Sequence, residues 1–120
     1  MRILRTRHVL AVNDLAKSAD HYLHALGFTR DFAVDGWEFL SLGDFRVMLG
    51  ECPDEVPAEE TNNHSYFAHV VVDDVDALHA DMRARGANIH HALADKPWGL
   101  REFGVKTPDG HRMMFAQELE

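Results

Sequence analysis

Apolar and polar positions alternate along "RHVLAV" and again along "FAHVVV". Each run leads into an acidic residue, and then into apolar residues three and four positions apart. The longer stretches are "RHVLAVNDLAKSADHYLHALGF" (7–28) and "FAHVVVDDVDALHADMRARGA" (67–87). At an offset of 60, Leu10 meets Val70, Val12 meets Val72, Asp14 meets Asp74, Leu15 meets Val75 and Tyr22 meets Met82. The chain is therefore an internal repeat of strand followed by helix. Asp14 and Asp74 are placed to accept hydrogen bonds from the first free helix amides. Leu15, Ala19, Tyr22, Leu23 and Leu26 form one helical stripe, and Val75, Leu78 and Met82 form the other. Gly27 and Gly86, one residue out of step, are suited to the left-handed conformation that ends a helix.

Further strands are predicted after each helix. In the first half they cover 28–34, 37–42 and 45–50, turning at Asp35-Gly36 and Gly43-Asp44. In the second half they cover 88–93, 100–106 and 111–117, the last hairpin turning at Pro108-Asp109-Gly110. The acidic segment Glu51 to His64 reads as a solvated link. The pattern thus predicts an α+β fold: a single domain of two βαβββ modules, about 1–51 and 65–120, forming an open, curved mixed sheet around a cleft. One helix covers one face of a four-stranded sheet, so the other face requires a second sheet, a ligand or a second subunit, and a homodimer is expected. Whether the halves pair within one chain or across a dimer stays open at this stage.

Side-chain alternation assigns the faces. Phe45, Val47 and Leu49, with Leu10 and Val12, are expected under the first helix. Met113 and Phe115, with Val70 and Val72, are expected under the second. Arg7, Val9, Met48, Phe67, His69, Arg112, Met114 and Ala116 are left for the concave side.

Composition narrows the function. With 12 basic and 20 acidic residues, the net charge of −8 opposes nucleic-acid binding, which needs a concentrated basic surface, and is compatible with a cationic ligand. No apolar run is long enough for a membrane-spanning helix, and the arginine-broken N-terminus is unlike a signal peptide. The single cysteine, Cys52, excludes an internal disulfide and fits a cytoplasmic location, and nothing basic beside it suggests reactivity.

Nine histidines invite a search for a metal site. His21 and His24 share a helix face without an evident third ligand. His90 and His91, adjacent in a strand, are expected on opposite faces. His64 falls in the link and His79 on the second helix. His8 shares the parity of Leu10 and is expected to be partly buried and hydrogen-bonded. His69 is the one expected on the concave face, where a neutral imidazole could bond a ligand or act as a base. Glu38 and Glu102 are possible acids or bases, but they lack evident partners and read as surface or edge carboxylates. No nucleophile elbow, phosphate loop or dinucleotide fingerprint is present.

The repeat, with "VNDLAKSADHYLHALGF" and the closing "PDGH" hairpin, resembles the vicinal oxygen chelate superfamily of glyoxalases, extradiol dioxygenases and bleomycin-resistance proteins. "LGFTRDF" (26–32) and "KPWGLREFGVKTPDGHRMMFAQE" (96–118) resemble the bleomycin-binding branch. An extra residue, Leu100, and a shorter loop before Trp98 depart from that branch. The resemblance implies ligand positions for a metal at Arg7, Met48, Phe67 and Met114. None is His, Glu or Asp, so no metal and no cofactor are expected. It also implies that Trp37 and Trp98 clasp a flat heteroaromatic ring. Phe32, Phe39, Met48, Phe67 and Met114 would complete an apolar wall, with His69, Arg7 and Arg101 orienting polar groups. The expected function is metal-free sequestration of a planar or aromatic small molecule, cationic ones included. The alternative is a metal-independent lyase- or isomerase-like enzyme using His69 or Glu102 as its base.

Overall fold

The computed structural model describes residues 1–54, 60 and 66–120. His64 and most of the acidic link lie outside the described residues. Two compact units divide the chain, Met1–Pro57 and Ala58–Glu120. The first contains β1 (His8–Val12), α1 (Leu15–His24), β2 (Thr29–Val34), β3 (Trp37–Leu42) and β4 (Phe45–Glu51). The second contains β5 (Tyr66–Val71), α2 (Val75–Ala84), β6 (Ile89–Asp95), β7 (Leu100–Lys106) and β8 (Arg112–Glu118). Each is βαβββ, as the repeat predicts. Strand ends move by a residue or two from the sequence reading, most visibly at β6.

Each unit holds one open, mixed, four-stranded sheet, ordered β1-β4-β3-β2 in the first and β5-β8-β7-β6 in the second. The first strand runs parallel to the last, which places Leu10 opposite Leu49 and Val70 opposite Phe115. The other neighbours are antiparallel hairpins. Gly36 and Gly43, at φ 80° and 58°, make the two tight turns of the first unit, a backbone region that is costly for side chains bearing a Cβ.

The helices start alike. Asp14 accepts a hydrogen bond from the Lys17 amide at 3.1 Å, and Asp74 accepts one from the Ala77 amide at 3.0 Å. A second device repeats. The Leu15 amide donates to the Glu51 carboxylate at 3.0 Å, and the Val75 amide donates to the Gln117 side-chain oxygen at 2.8 Å. The last strand of each unit thus satisfies the first free N–H of its helix, an orphan donor that would otherwise need water.

Alternation then buries one face of each sheet. Leu10, Leu40, Val47 and Leu49 close against Ala19, Tyr22 and Leu26. In the second unit, Phe103, Val105, Met113 and Phe115 close against Val75 and Met82. Burying each large side chain contributes about 1.5–3 kcal/mol, so these faces carry the fold. Edge-to-face rings knit the first core, Tyr22 to Phe28 at 5.1 Å and Phe28 to Phe45 at 5.6 Å. His8 is more open than its parity suggests. It lies exposed at the strand start, its ring 5.5 Å from Phe45 and its Nδ1 3.4 Å from the Arg46 carbonyl.

Candidate functional site

The face of each sheet opposite its own helix carries the candidate chemistry. In the first unit, burying Leu40 turns Trp37, Phe39 and Ser41 to the open side. Phe39 stands opposite Met48 in the β3–β4 register. A bulge between Arg30 and Phe32 shifts β2 so that Phe32, rather than Asp31, pairs with Phe39. The two rings stack at 4.1 Å and 14°. The Arg7 guanidinium lies over them, 5.1 Å from the Phe39 centroid and 5.9 Å from that of Phe32, within cation–π range. Trp37 pairs with Gly50, and its six-membered ring rests on the glycine. A Cβ built there would sit 2.7 Å from Cη2. Arg7, Phe32, Phe39, Met48 and Trp37 therefore share one face.

In the second unit, His69 pairs with Met114 across β5 and β8. The His69 Nε2 lies 3.2 Å from the Glu102 carboxylate, which is only 5% exposed. Glu102 is thus a buried, partnered carboxylate rather than a surface one. The Met114 sulfur lies over Gly104, 2.6 Å from where a Cβ would stand. A bulge between Tyr66 and Ala68 changes the strand's facing. It places the Tyr66 ring 6.5 Å from His69, while Phe67 meets His111 edge-on at 6.2 Å. Tyr66 is a neighbour of His69 that simple alternation misses.

Other candidates fall elsewhere. The Arg101 guanidinium is held by Asp76 of α2 at 2.8 Å and Asp95 at 3.0 Å. Hydrogen bonding to Asp76 and then Asp95 raises its pKa above the ordinary arginine value. Arg101 shares the parity of Phe103, on the helix side, away from His69. Glu38 also has a partner, donating nitrogens of Arg30 lying 2.7 and 3.1 Å from its two oxygens. Trp98 stands in a turn closed by the Gly99 amide donating to Lys96 at 3.1 Å, is 63% exposed, and has the Lys96 ammonium 6.0 Å from its ring. It belongs to the second unit and Trp37 to the first.

His90 and His91 do not take opposite faces. Their rings meet edge-on at 4.6 Å, because bulges between Ile89 and His91 and between His91 and Ala94 break the alternation. Burial pushes His90 below the ordinary imidazole range, helped by His91, Lys106 and Arg112. His24 pairs with Asp20 at 3.1 Å on the exposed side of α1.

A divalent cation does not fit the residues implied for it. Arg7 brings a positive charge, Phe67 a hydrocarbon ring, and Met48 and Met114 thioethers, where hard ions need oxygen or imidazole donors. Among the described residues, no three His, Cys, Asp or Glu side chains gather in a metal-binding group. No helix among them is long and apolar enough to cross a membrane.

Comparison with known proteins places this geometry in context. The model of the Glyoxalase/Bleomycin resistance protein/Dioxygenase superfamily matches residues 3–115. A bleomycin resistance protein of Geobacillus stearothermophilus is 28% identical, over 98% of this chain and 99% of that protein. The bleomycin-binding protein of bleomycin-producing Streptomyces verticillus, solved with copper(II)-bleomycin, is 26% identical. It has a TM-score of 0.74 and spans 96% of both chains. A glyoxalase/bleomycin resistance protein/dioxygenase from Alicyclobacillus acidocaldarius shares the fold at a TM-score of 0.84 and 15% identity, over 97% of this chain and 92% of that one.

Proposed function

This chain belongs to the Glyoxalase/Bleomycin resistance protein/Dioxygenase superfamily, and we propose that it is a metal-free small-molecule binding protein of the bleomycin-resistance type. It sequesters a planar or aromatic ligand, cationic ones included, in the cytoplasm. The two units act as one domain, and a second copy completes an apolar cleft. The observation that carries this reading is the face of the first sheet opposite α1, where Phe32 and Phe39 stack beside Trp37 and Met48. Packing a flat ring against such a surface is worth about 0.5–1.5 kcal/mol per aromatic pair beyond area burial. Trp98, Met114, Phe67 and His69 contribute further ligand contacts in this proposal, and Arg101 positions the turn that carries Trp98. The names of the relatives, bleomycin resistance and bleomycin-binding proteins, support the ligand class.

One observation favours a second reading. The Glu102 carboxylate orients the His69 ring through Nε2 and leaves Nδ1 to act as a base, the arrangement a metal-independent lyase- or isomerase-like enzyme needs. One experiment separates the two. Purified protein is titrated with bleomycin and other aromatic cations while tryptophan emission is followed, and the same mixtures are assayed for product. Sequestration predicts saturable binding, weakened about tenfold (~1.4 kcal/mol) by Trp37→Ala, with every ligand recovered intact. Saturation by none of them overturns the first reading. Turnover that disappears in His69→Ala establishes the second.

A further inference from the structure

The charge of the first sheet's open face is opposite to that of the molecule. The chain is net −8, yet a depression of about 410 Å³ on this face is lined by Arg5, Arg7 and Arg46 with Asp31, Phe32 and Ser41. Three guanidiniums face one carboxylate. That carboxylate is engaged, since Asp31 accepts a hydrogen bond from the Ser41 hydroxyl at 2.8 Å. Among the described residues, the Arg46 guanidinium makes only long contacts to Asp44, 3.3 Å to its carbonyl and 3.4 Å to its carboxylate, which is fully exposed. Three guanidiniums against Asp31 and the solvent-exposed Asp44 leave positive charge in excess.

Arg7 is the centre of this arrangement. Its guanidinium lies 5.1 and 5.9 Å from the centroids of the stacked Phe39 and Phe32 rings, which sets its charge beside the aromatic surface. Its Nε–H is buried and has no hydrogen-bond partner among the described residues. A buried donor normally finds an acceptor, and one left over beside a cationic depression is satisfied by an incoming oxyanion. We propose that Arg7, with Arg5 and Arg46, forms an anion subsite that takes the carboxylate of a ligand whose planar aromatic part packs on Phe32, Phe39 and Trp37. This deepens the reading of the face as a ligand wall and rests on it. It adds a charge preference that net charge alone would place the other way.

Two probes of one shape test it. Naphthalene-2-carboxylate and its uncharged amide, naphthalene-2-carboxamide, are titrated into the full chain by calorimetry, with bleomycin run in parallel. The carboxylate is expected to bind about tenfold more tightly, equivalent to ~1.4 kcal/mol. The preference should shrink as salt is raised, because the site is open to solvent. Arg7→Gln should bring the ratio toward unity, and Arg46→Gln should reduce it in part, each variant first shown to melt cooperatively. Equal affinity for both probes overturns the subsite and leaves the planar-ligand reading standing. So does binding of neither while bleomycin saturates the protein. Failure of all three ligands overturns both readings. If Arg7→Gln keeps the preference but changes the oligomeric state, the arginines serve a subunit contact and the subsite is wrong.

Discussion

Beneath α1 and beneath α2 the two sheets follow one plan; on their other sides they do not. Leu10 faces Leu49 in one unit where Val70 faces Phe115 in the other, and the first amide of each helix donates a hydrogen bond to a side chain at the end of its unit's last strand. Opposite the helices, the first sheet shows guanidinium over stacked phenyl rings, and the second shows an imidazole on a buried carboxylate beside a thioether. The helix side is close-packed, so the volume of each residue is set by its neighbours. The open side has only to keep strand geometry, so the repeat specialises there. One fold thereby offers two surfaces of different chemistry.

The largest expected effects test whether the two cores are equivalent. Leu49→Ala should cost about 2–5 kcal/mol and Phe115→Ala about 3–5 kcal/mol in urea unfolding, since both are fully buried. A loss under about 1 kcal/mol at either site would show that one sheet does not depend on its helix. An intermediate effect sharpens the contrast between the open faces. At Gly50 an added methyl group meets the rigid Trp37 indole, whereas at Gly104 it meets the mobile end of Met114 first and the His91 ring at 3.0 Å. Gly50→Ala should therefore cost about 1–3 kcal/mol and shift tryptophan emission, and Gly104→Ala should cost less and leave the emission in place. Equal costs with no spectral change would mean that Trp37 does not lie on Gly50 in solution.

The smallest effect is proton linkage, and it separates the units. Burial pushes the His111 imidazole below its ordinary value against the opposing pull of Asp109, and His90 is lowered as well. A depressed imidazole stays neutral in the fold while the unfolded chain takes up the proton. Stability is thus fully present above an ordinary imidazole pKa of about 6.5 and declines as pH falls through it. His111→Gln should flatten that decline in melts recorded on either side of neutrality. An unchanged slope would remove His111 from the linkage.

Periodicity made the fold legible. The strands, both helix caps, the turns and the helix-side core follow from spacing two, spacing three to four, and the placement of Asp and Gly. The open faces were only partly legible, because a bulge inserts one residue without changing composition. The shifts at Asp31, Phe67 and His90 are of this kind, and they decide that Phe32 stacks on Phe39, that Tyr66 joins His69, and that His90 meets His91. The His69–Glu102 contact spans 33 residues, and no local pattern announces such a pair. Arg101 misled for a related reason: its parity was readable, but the acids that hold it come from α2 and β6.

The bulges have a consequence for how the protein behaves in a crowd. In each sheet the outer strands are the first and second of their unit, and an outer strand offers unpaired amides and carbonyls to any passing chain. Three of the four are interrupted in register, β2 once, β5 once and β6 twice. An interrupted ladder cannot template a long, straight partner. β1 alone is regular, and it shows an exposed Val9. Arg5 and Arg7 lie just ahead of it, where like-charged gatekeepers discourage self-stacking. Broken register along three edges and charge along the fourth therefore disfavour edge-to-edge pairing, and the arginines that would hold a ligand's carboxylate also flank that strand.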